Sequence, residues 1–349
     1  MIRGTLRSAI APLARALTSN AARIITYHRF GPSGALRRMP VDVFDAQLRF
    51  LARNYNVASL AEVVGRLRTG KPLDPGTVVL TVDDGYRDFA EFAYPLLRRY
   101  GMPATLYVIV GAIDGRQWLW FDRLHYSMHK AKAGRYTVQL GENSVSLDLD
   151  SLAERNAAWE LVGEYCIEAG DTARRALLAN LEGLFGADVP PRPTAEYASL
   201  GWNELAAFDP SLIEIGSHSL THAILSQVNG AEQKREIVES KQTLESKLGT
   251  RVDAFSYPNG YPSDIDDHSV ALVSEAGYSS AVMNCGTFVD HTSELFRLSR
   301  MGAEETVEGL ARQLDGTRHL AARFHQRFLR PMHVSRALMV YLAYGAAVS

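Results

Sequence analysis

Apolar and β-branched residues gather in six short runs, at 23–28 (RIITYH), 77–82 (TVVLTV), 104–110 (ATLYVIV), 213–217 (IEIGS), 252–256 (VDAFS) and 279–283 (SSAVM), each of strand length. Between them the apolar spacing lengthens to that of amphipathic helices, at 43–54, 60–68, 88–100, 231–248 and 267–276. Gly249 and Gly277 follow the last two as helix stop signals. Strand then helix, repeated, predicts a parallel sheet with helices outside it. The stretch 112–200 breaks the rhythm. There YTVQL and SVSLDLD flank a turn at 141–143, a helical region runs over 152–185, and PPRP ends the segment, which reads as an insertion.

Composition narrows the class. With 349 residues, 46% of them apolar, the chain can bury one large core or two ordinary ones, and disorder is excluded. Lys+Arg 37 against Asp+Glu 39 leaves a net charge of −2, which excludes a general nucleic-acid footprint. Cys166 and Cys285 are too few for a disulfide framework and wrongly spaced for a zinc ribbon or CxxC motif, which favours a reducing compartment.

The charge is unevenly placed. Residues 1–40 hold seven Arg and no acid, residues 316–349 hold five Arg and no acid, and the interval between carries 25 basic and 39 acidic residues. This divides the chain into a basic N-terminal segment at 1–22, a central domain at 23–315 with the insertion 112–200, and a basic amphipathic tail at 316–349. Pro12 and Arg15 interrupt the apolar run of the first segment, so a cytoplasmic chain is expected over a secreted one. In the tail Leu320, Phe324 and Phe328 recur at helical spacing with Arg323, Arg327 and Arg330 between them, and the closing apolar run is shorter than the roughly 20 residues of a bilayer span. Peripheral contact with the inner face of a membrane is one expectation for it, a helix docked on the domain the other. His319 and His325, within that tail, are expected to be solvated.

Candidate chemistry sits where predicted strands end. Two adjacent carboxylates, Asp83 and Asp84, follow the run at 77–82, and Gly85 turns the chain toward the next helix. In parallel α/β folds the C-terminal strand ends form the active-site face. Neighbours on an extended chain point in opposite directions, so one acid can bind a metal while the other stays free as a base. An isolated Asp-Asp-Gly more commonly caps a helix. The segment IEIGSHSLTH adds His218 and His222, whose i,i+4 spacing on a helical turn would bring both imidazoles to one face. Two histidines and a carboxylate form the ligand set of open catalytic zinc sites. A cation held there turns water into a nucleophile able to attack a carbonyl.

These residues resemble a known family. TVDDG at 81–85 and HSLTH at 218–222 are similar to the first two motifs of the polysaccharide deacetylases, the NodB-homology or carbohydrate esterase family 4 enzymes. FSYPNG at 255–260 resembles the FxYPxG motif of the branch that includes poly-N-acetylglucosamine deacetylases, and ITYHRF at 25–30 looks like the strand-borne tyrosine-histidine of that branch. The resemblance runs in the family's order from about residue 24 to about residue 300. It implies an α/β fold, a distorted (β/α)7 TIM-like barrel of NodB type carrying the mixed helical and hairpin insertion. It also implies a hydrolase that removes the N-acetyl group from an amino sugar in a polysaccharide or lipid-linked glycan. Asp83 would then be the general base, and Asp84, His218 and His222 the ligands of a divalent metal, with zinc (Zn2+) the expected ion. The backbone N–H of Asn259 would steady the oxyanion, and Ser217 or Ser219 would orient the metal loop or serve only as turn residues.

The chain departs from the family at two points. Ser256 stands where many members carry the arginine that holds the catalytic aspartate, leaving Arg29, Arg297 and Arg300 as unranked replacements. FRLSRMG at 296–302 lacks the histidine of the usual general acid, so His28 is the substitute, its alternative being a hydrogen bond to the metal loop. Tyr86 is placed for sugar contact. Trp118, Trp120, Phe121 and Tyr126 in the insertion could stack on sugar rings, although packing is the expected role. His125 and His129 form a second i,i+4 pair without a third ligand and are expected at a surface or interface. The departures keep two other readings open, a catalytically silent carbohydrate-binding protein and a deacylase of a non-sugar amide or ester.

Overall fold

The structure is a computed structural model that describes residues 2–33 and 37–328, with side chains described within 10–322 of that range. Seven parallel strands follow one another around a closed ring: β1 (Arg23–Tyr27), β2 (Thr77–Val82), β3 (Ala104–Val108), β4 (Ile213–Ser217), β5 (Ala254–Ser256), β6 (Ser280–Asn284) and β7 (Leu298–Gly302). β1 pairs with β2 from Arg23↔Val78 to Tyr27↔Val82 and with β7 from Ile24↔Arg300 to Thr26↔Gly302, which closes the barrel. Every residue of β1, β2 and β3 is buried. A parallel strand covered on both faces must be apolar throughout, which is why these three read so plainly as continuous runs. The ring is a (β/α)7 TIM-like barrel, and its irregularity lies at the three-residue β5, which meets β4 only at Phe255↔Ser217.

All six expected strands are present, and the seventh was not anticipated. β7 has the sequence LSRMG, so Ser299 and Arg300 interrupt any apolar signal even though both are buried. The expected helix at 88–100 begins instead as a π-turn over Phe89–Ala93, in which the Tyr94 N–H reaches back to the Phe89 carbonyl. The next residue, Pro95, has no N–H to continue the ladder.

The insertion leaves after β3 and returns before β4. It comprises the helix Trp120–Lys130, the hairpin Arg135–Leu140 with Asn143–Asp148, and the helices Leu152–Glu168 and Asp171–Phe185. Leu124, Met128, Val138, Leu147, Val162 and Leu181 give it a core of its own.

At the opposite, N-terminal end of the strands a single buried cation ties the closure together. Arg23 donates from Nε to the Leu314 carbonyl (3.1 Å), from Nη1 to the Ala21 carbonyl (2.7 Å) and from Nη2 to Thr18 Oγ1 (3.0 Å). Its guanidinium lies 4.5 Å over the Phe288 ring, whose other neighbour is His319, stacked at 4.8 Å. His319 Nδ1 accepts the Phe288 N–H at 3.0 Å. The expectation that His319 is solvated is therefore corrected: a flat ring with an acceptor nitrogen fills this closure. Residues 329–349 lie outside the described residues, as do the side chains of Arg323, Phe324, His325, Arg327 and Phe328.

Replacing Arg23 by Met should strand three acceptors in a closed space, at about 1 kcal/mol per lost hydrogen bond. Urea unfolding should show a loss of about 3 kcal/mol, and a loss under about 1 kcal/mol would contradict this view of the closure.

Candidate active site

The end of β2 carries the first half of the site. The Asp83 N–H bonds the Tyr27 carbonyl (2.9 Å), after which Asp84 and Gly85 both adopt left-handed conformations (φ 72° each). Only glycine fits the second position, because a Cβ there would stand 2.9 Å from Val108 Cγ1. This tight turn sends the two carboxylates to different partners.

Asp83 is fully buried and faces Arg300. The guanidinium donates from Nη1 to Oδ1 at 2.7 Å and from Nη2 to Oδ2, while its Nε donates to Asn284 Oδ1 at 3.0 Å. Arg300 is thus the replacement for the missing arginine. Arg29 serves Asp88 (3.1 Å) instead, and Arg297 serves Asp267 and Glu294. The Tyr107 ring lies 5.8 Å from the Arg300 guanidinium, and Gly216 gives that ring room, since a Cβ there would come within 2.5 Å of it. Burial pushes the Asp83 carboxyl up, but Arg300, with His218, outweighs it and holds Asp83 well below the usual carboxylate range.

The second half comes from the end of β4. His218 Nε2 lies 3.7 Å and His222 Nε2 3.8 Å from Asp84 Oδ1, and one ligand atom from each of the three residues lies within 4.8 Å of the others. The expected helical turn is not what joins the histidines. They sit on an irregular loop in which Ser219 (φ 65°) and His222 (φ 62°) are left-handed. The loop is held from behind: Ser219 Oγ accepts the His222 N–H (3.0 Å), and buried Glu236 accepts from Leu220 N (2.9 Å), Thr221 N (2.7 Å) and Thr221 Oγ1 (2.6 Å). Ser219 orients the loop; Ser217 turns away to Ser240 (2.9 Å). Glu236 left no mark in the sequence, being one acid among many on the polar helix Gly230–Leu248.

The donor set fits a divalent metal. His218 Nδ1 lies 2.8 Å from the Ser256 carbonyl, which places the proton there and leaves the Nε2 lone pair for a ligand. Burial holds both imidazoles below their ordinary values, hence neutral as metal ligands must be. Burial and the neighbouring charge of Asp83 push the Asp84 carboxyl far up. His222 Nδ1, also buried, has no partner among the described residues. Two nitrogens and one oxygen suit an ion of the zinc class, with positions left open for water and substrate.

At the rim His28 is 47% exposed, its Nε2 3.9 Å from Asp83 Oδ2. Partial desolvation of its ring, with Arg300 and His218, outweighs the pull of Asp83 and holds it below its ordinary value. Asn259 is left-handed (φ 63°), its side chain donating to Asp264 (3.0 Å) and its carbonyl accepting from Asn284 (2.8 Å). No described residue takes its N–H.

Tyr86 is a correction. Its hydroxyl donates to Asp122 Oδ2 (2.7 Å), Arg29 covers its ring at 4.2 Å, and at 2% exposure it offers a sugar no surface. Tyr86 instead ties the insertion to the Asp84 turn. Phe121, next to Asp122, packs edge-on against the His222 ring at 5.4 Å, so the insertion walls the site. Trp118 packs on Tyr126 and Tyr197 at 5.2 Å each, and Trp120 packs on Phe121 at 5.4 Å. His125 and His129 stack on each other at 3.9 Å with Tyr197 Oη 2.6 Å from His125 Nδ1, partly buried and without a third ligand among the described residues.

A parallel barrel with an Asp-His-His triad and an arginine-held second aspartate at its C-terminal mouth is the arrangement expected from the resemblance to the polysaccharide deacetylases. Residues 70–137 and 192–281, on either side of most of the insertion, match the polysaccharide deacetylase family. A Bacillus subtilis (strain 168) protein named as a polysaccharide deacetylase, YxkH, is 34% identical over 97 residues, 28% of this chain and 34% of that one. The poly-β-1,6-N-acetyl-D-glucosamine N-deacetylase of Escherichia coli (strain K12) is 40% identical over 60 residues, 17% of this chain and 9% of that one. The chain thus spans about a third or less of the length of these curated relatives. Among solved structures, the Streptococcus pyogenes deacetylase PplD in complex with acetate has a TM-score of 0.56 at 18% identity, over 84% of this chain and 98% of that one. IcaB from Ammonifex degensii has a TM-score of 0.54 at 14% identity, over 85% and 97%. These two share the fold.

Arg300→Met removes the cation that lowers Asp83. Wild-type Asp83, its pKa depressed, adds stability above its unfolded value near 4 and loses it on acidification; in the variant burial alone acts, and the same carboxylate becomes a cost as pH rises. Thermal melts of metal-stripped protein should therefore show a stability gap that widens as pH climbs through about 4 toward neutrality, reaching about 3–5 kcal/mol. A gap that stays flat with pH would contradict the pairing.

Proposed function

We propose that the chain hydrolyses the N-acetyl group of an amino sugar within a glycan, releasing acetate and a free amine. The observation that carries this reading is Asp83, a carboxylate outside the triad yet 3.5 Å from its His218 Nε2, locked by Arg300 and within reach of His28. A divalent metal on Asp84, His218 and His222, zinc being the expected ion, would supply Lewis acidity that polarises the acetyl carbonyl and acidifies water. Asp83 takes the proton of the attacking water. Because Arg300 keeps its conjugate acid strong, that proton passes on readily. The free Asn259 N–H donates to the tetrahedral oxyanion. Neutral His28, exposed on the solvent side, relays the proton to the departing nitrogen as the C–N bond breaks.

The names of the relatives support an N-acetylglucosamine polymer as the substrate class, with a lipid-linked glycan as the second form of the same chemistry. The reading of a silent sugar-binding protein rested on the missing arginine and histidine motifs; the pairing of Arg300 with Asp83 weighs against the first and the placement of His28 beside Asp83 against the second.

Asp83→Asn should retain the triad and bind one equivalent of metal by elemental analysis, while acetate release from N-acetylglucosamine oligomers falls at least about 100-fold. His222→Ala should instead lose metal and activity together. Wild-type release of acetate from none of the acetylated sugars would overturn the substrate class, and full activity in Asp83→Asn would overturn the base.

A further inference from the structure

The end of the barrel away from the site carries a surface that the chemistry above does not use. The helix Ile2–Leu17 leads into β1 and is anchored there, because the Thr18 carbonyl and hydroxyl both accept from buried Arg23. It packs against the helix Thr317–Phe328, which enters through Gly316 beside Thr18 and Ala14. Ala14 and Thr18 face inward and are buried. Ile10, Leu13 and Leu17 are 44%, 61% and 66% exposed, and they make up half of the six exposed large apolar residues among the described ones. Their spacing of three and four puts them on one face of the helix.

Charge says what can cover that face. The two helices, 2–17 and 317–328, contain six arginines and no acid, while the chain between residues 41 and 315 is net acidic. A second copy would set arginine against arginine, and a nucleic acid would leave the leucines unmatched. An anionic lipid surface satisfies both, taking the leucines into its interface while its headgroups neutralise the arginines. We propose that this end of the barrel docks on an anionic bilayer. No described helix is long and apolar enough to cross a membrane, and the exposed leucines lie along one helix face, as an interfacial contact requires. The strands then run away from the bilayer, and the catalytic mouth opens toward the aqueous side, where a glycan standing off the membrane reaches it.

The test is flotation of the full chain with vesicles. Equal phosphatidylglycerol and phosphatidylcholine should carry it upward at low salt, pure phosphatidylcholine should not, and high salt should release it. The double variant Leu13→Glu/Leu17→Glu, altered only at exposed positions, should float about tenfold less while its circular dichroism and its turnover of a soluble substrate stay unchanged. Equal flotation of variant and parent, or equal flotation on both lipids, would overturn the proposal. Two other occupants have their own signatures. A parent dimer in gel filtration that the variant abolishes would make the face a self-interface. A solvatochromic dye on Leu13→Cys that emits blue before any vesicle is added would show the chain's own tail already covering it. Either result would overturn docking; the expected dye response is polar emission in buffer and a blue shift on anionic vesicles.

Discussion

The ion pair between Asp83 and Arg300 is the contact around which the rest of the site is arranged. Its partners come from β2 and β7, which are neighbours only because β1 lies between them and closes the ring. Each charge alone would be a costly burial, and together, with Asn284 on the guanidinium and Tyr107 beneath it, they are tolerated. The pair therefore couples barrel closure to the geometry of the site. It holds Asp83 well below the usual carboxylate range and places it beside the triad.

Backbone strain is concentrated at the same mouth. Of six left-handed residues other than glycine among the described ones, four are Asp84, Ser219, His222 and Asn259. L-residues enter that region at a cost, and here the surroundings offset it. Ser219 and Glu236 tie down the histidine loop, Asp264 and Asn284 hold Asn259, and Gly85 relieves the turn after Asp84. The chain uses unfavourable φ angles to turn side chains inward from strand ends within one or two residues, a change of direction that regular helix or strand geometry cannot make.

The two ends of the barrel are built by opposite means. At the mouth the insertion folds around its own core and contributes Phe121 and Asp122 as a wall behind His222 and Tyr86. At the closed end one arginine, Arg23, gathers three carbonyls from two converging segments, Thr18 and Ala21 from one and Leu314 from the other, beside the Phe288–His319 stack. Acidic chemistry is thus walled at one end while the basic helices gather at the other, and the near-zero net charge conceals this polarity.

Much of this was legible before any coordinates. Buried parallel strands must be apolar on both faces, so six of the seven announced themselves, and the paired aspartates and histidines stood directly at their ends. What escaped followed from the same physics. β7 carries a buried arginine whose charge only a distant partner makes tolerable, so neither the strand nor the choice of Arg300 over Arg29 and Arg297 could be read locally. Tyr86, expected to meet a sugar, and His319, expected to be solvated, are both buried, because an Asp122 from the insertion and a Phe288 ring come to meet them. Local sequence determined which segments extend and where the reactive groups lie along them. Tertiary structure alone decided which charges neutralise one another, because that depends on distances across the ring that no neighbouring residue encodes.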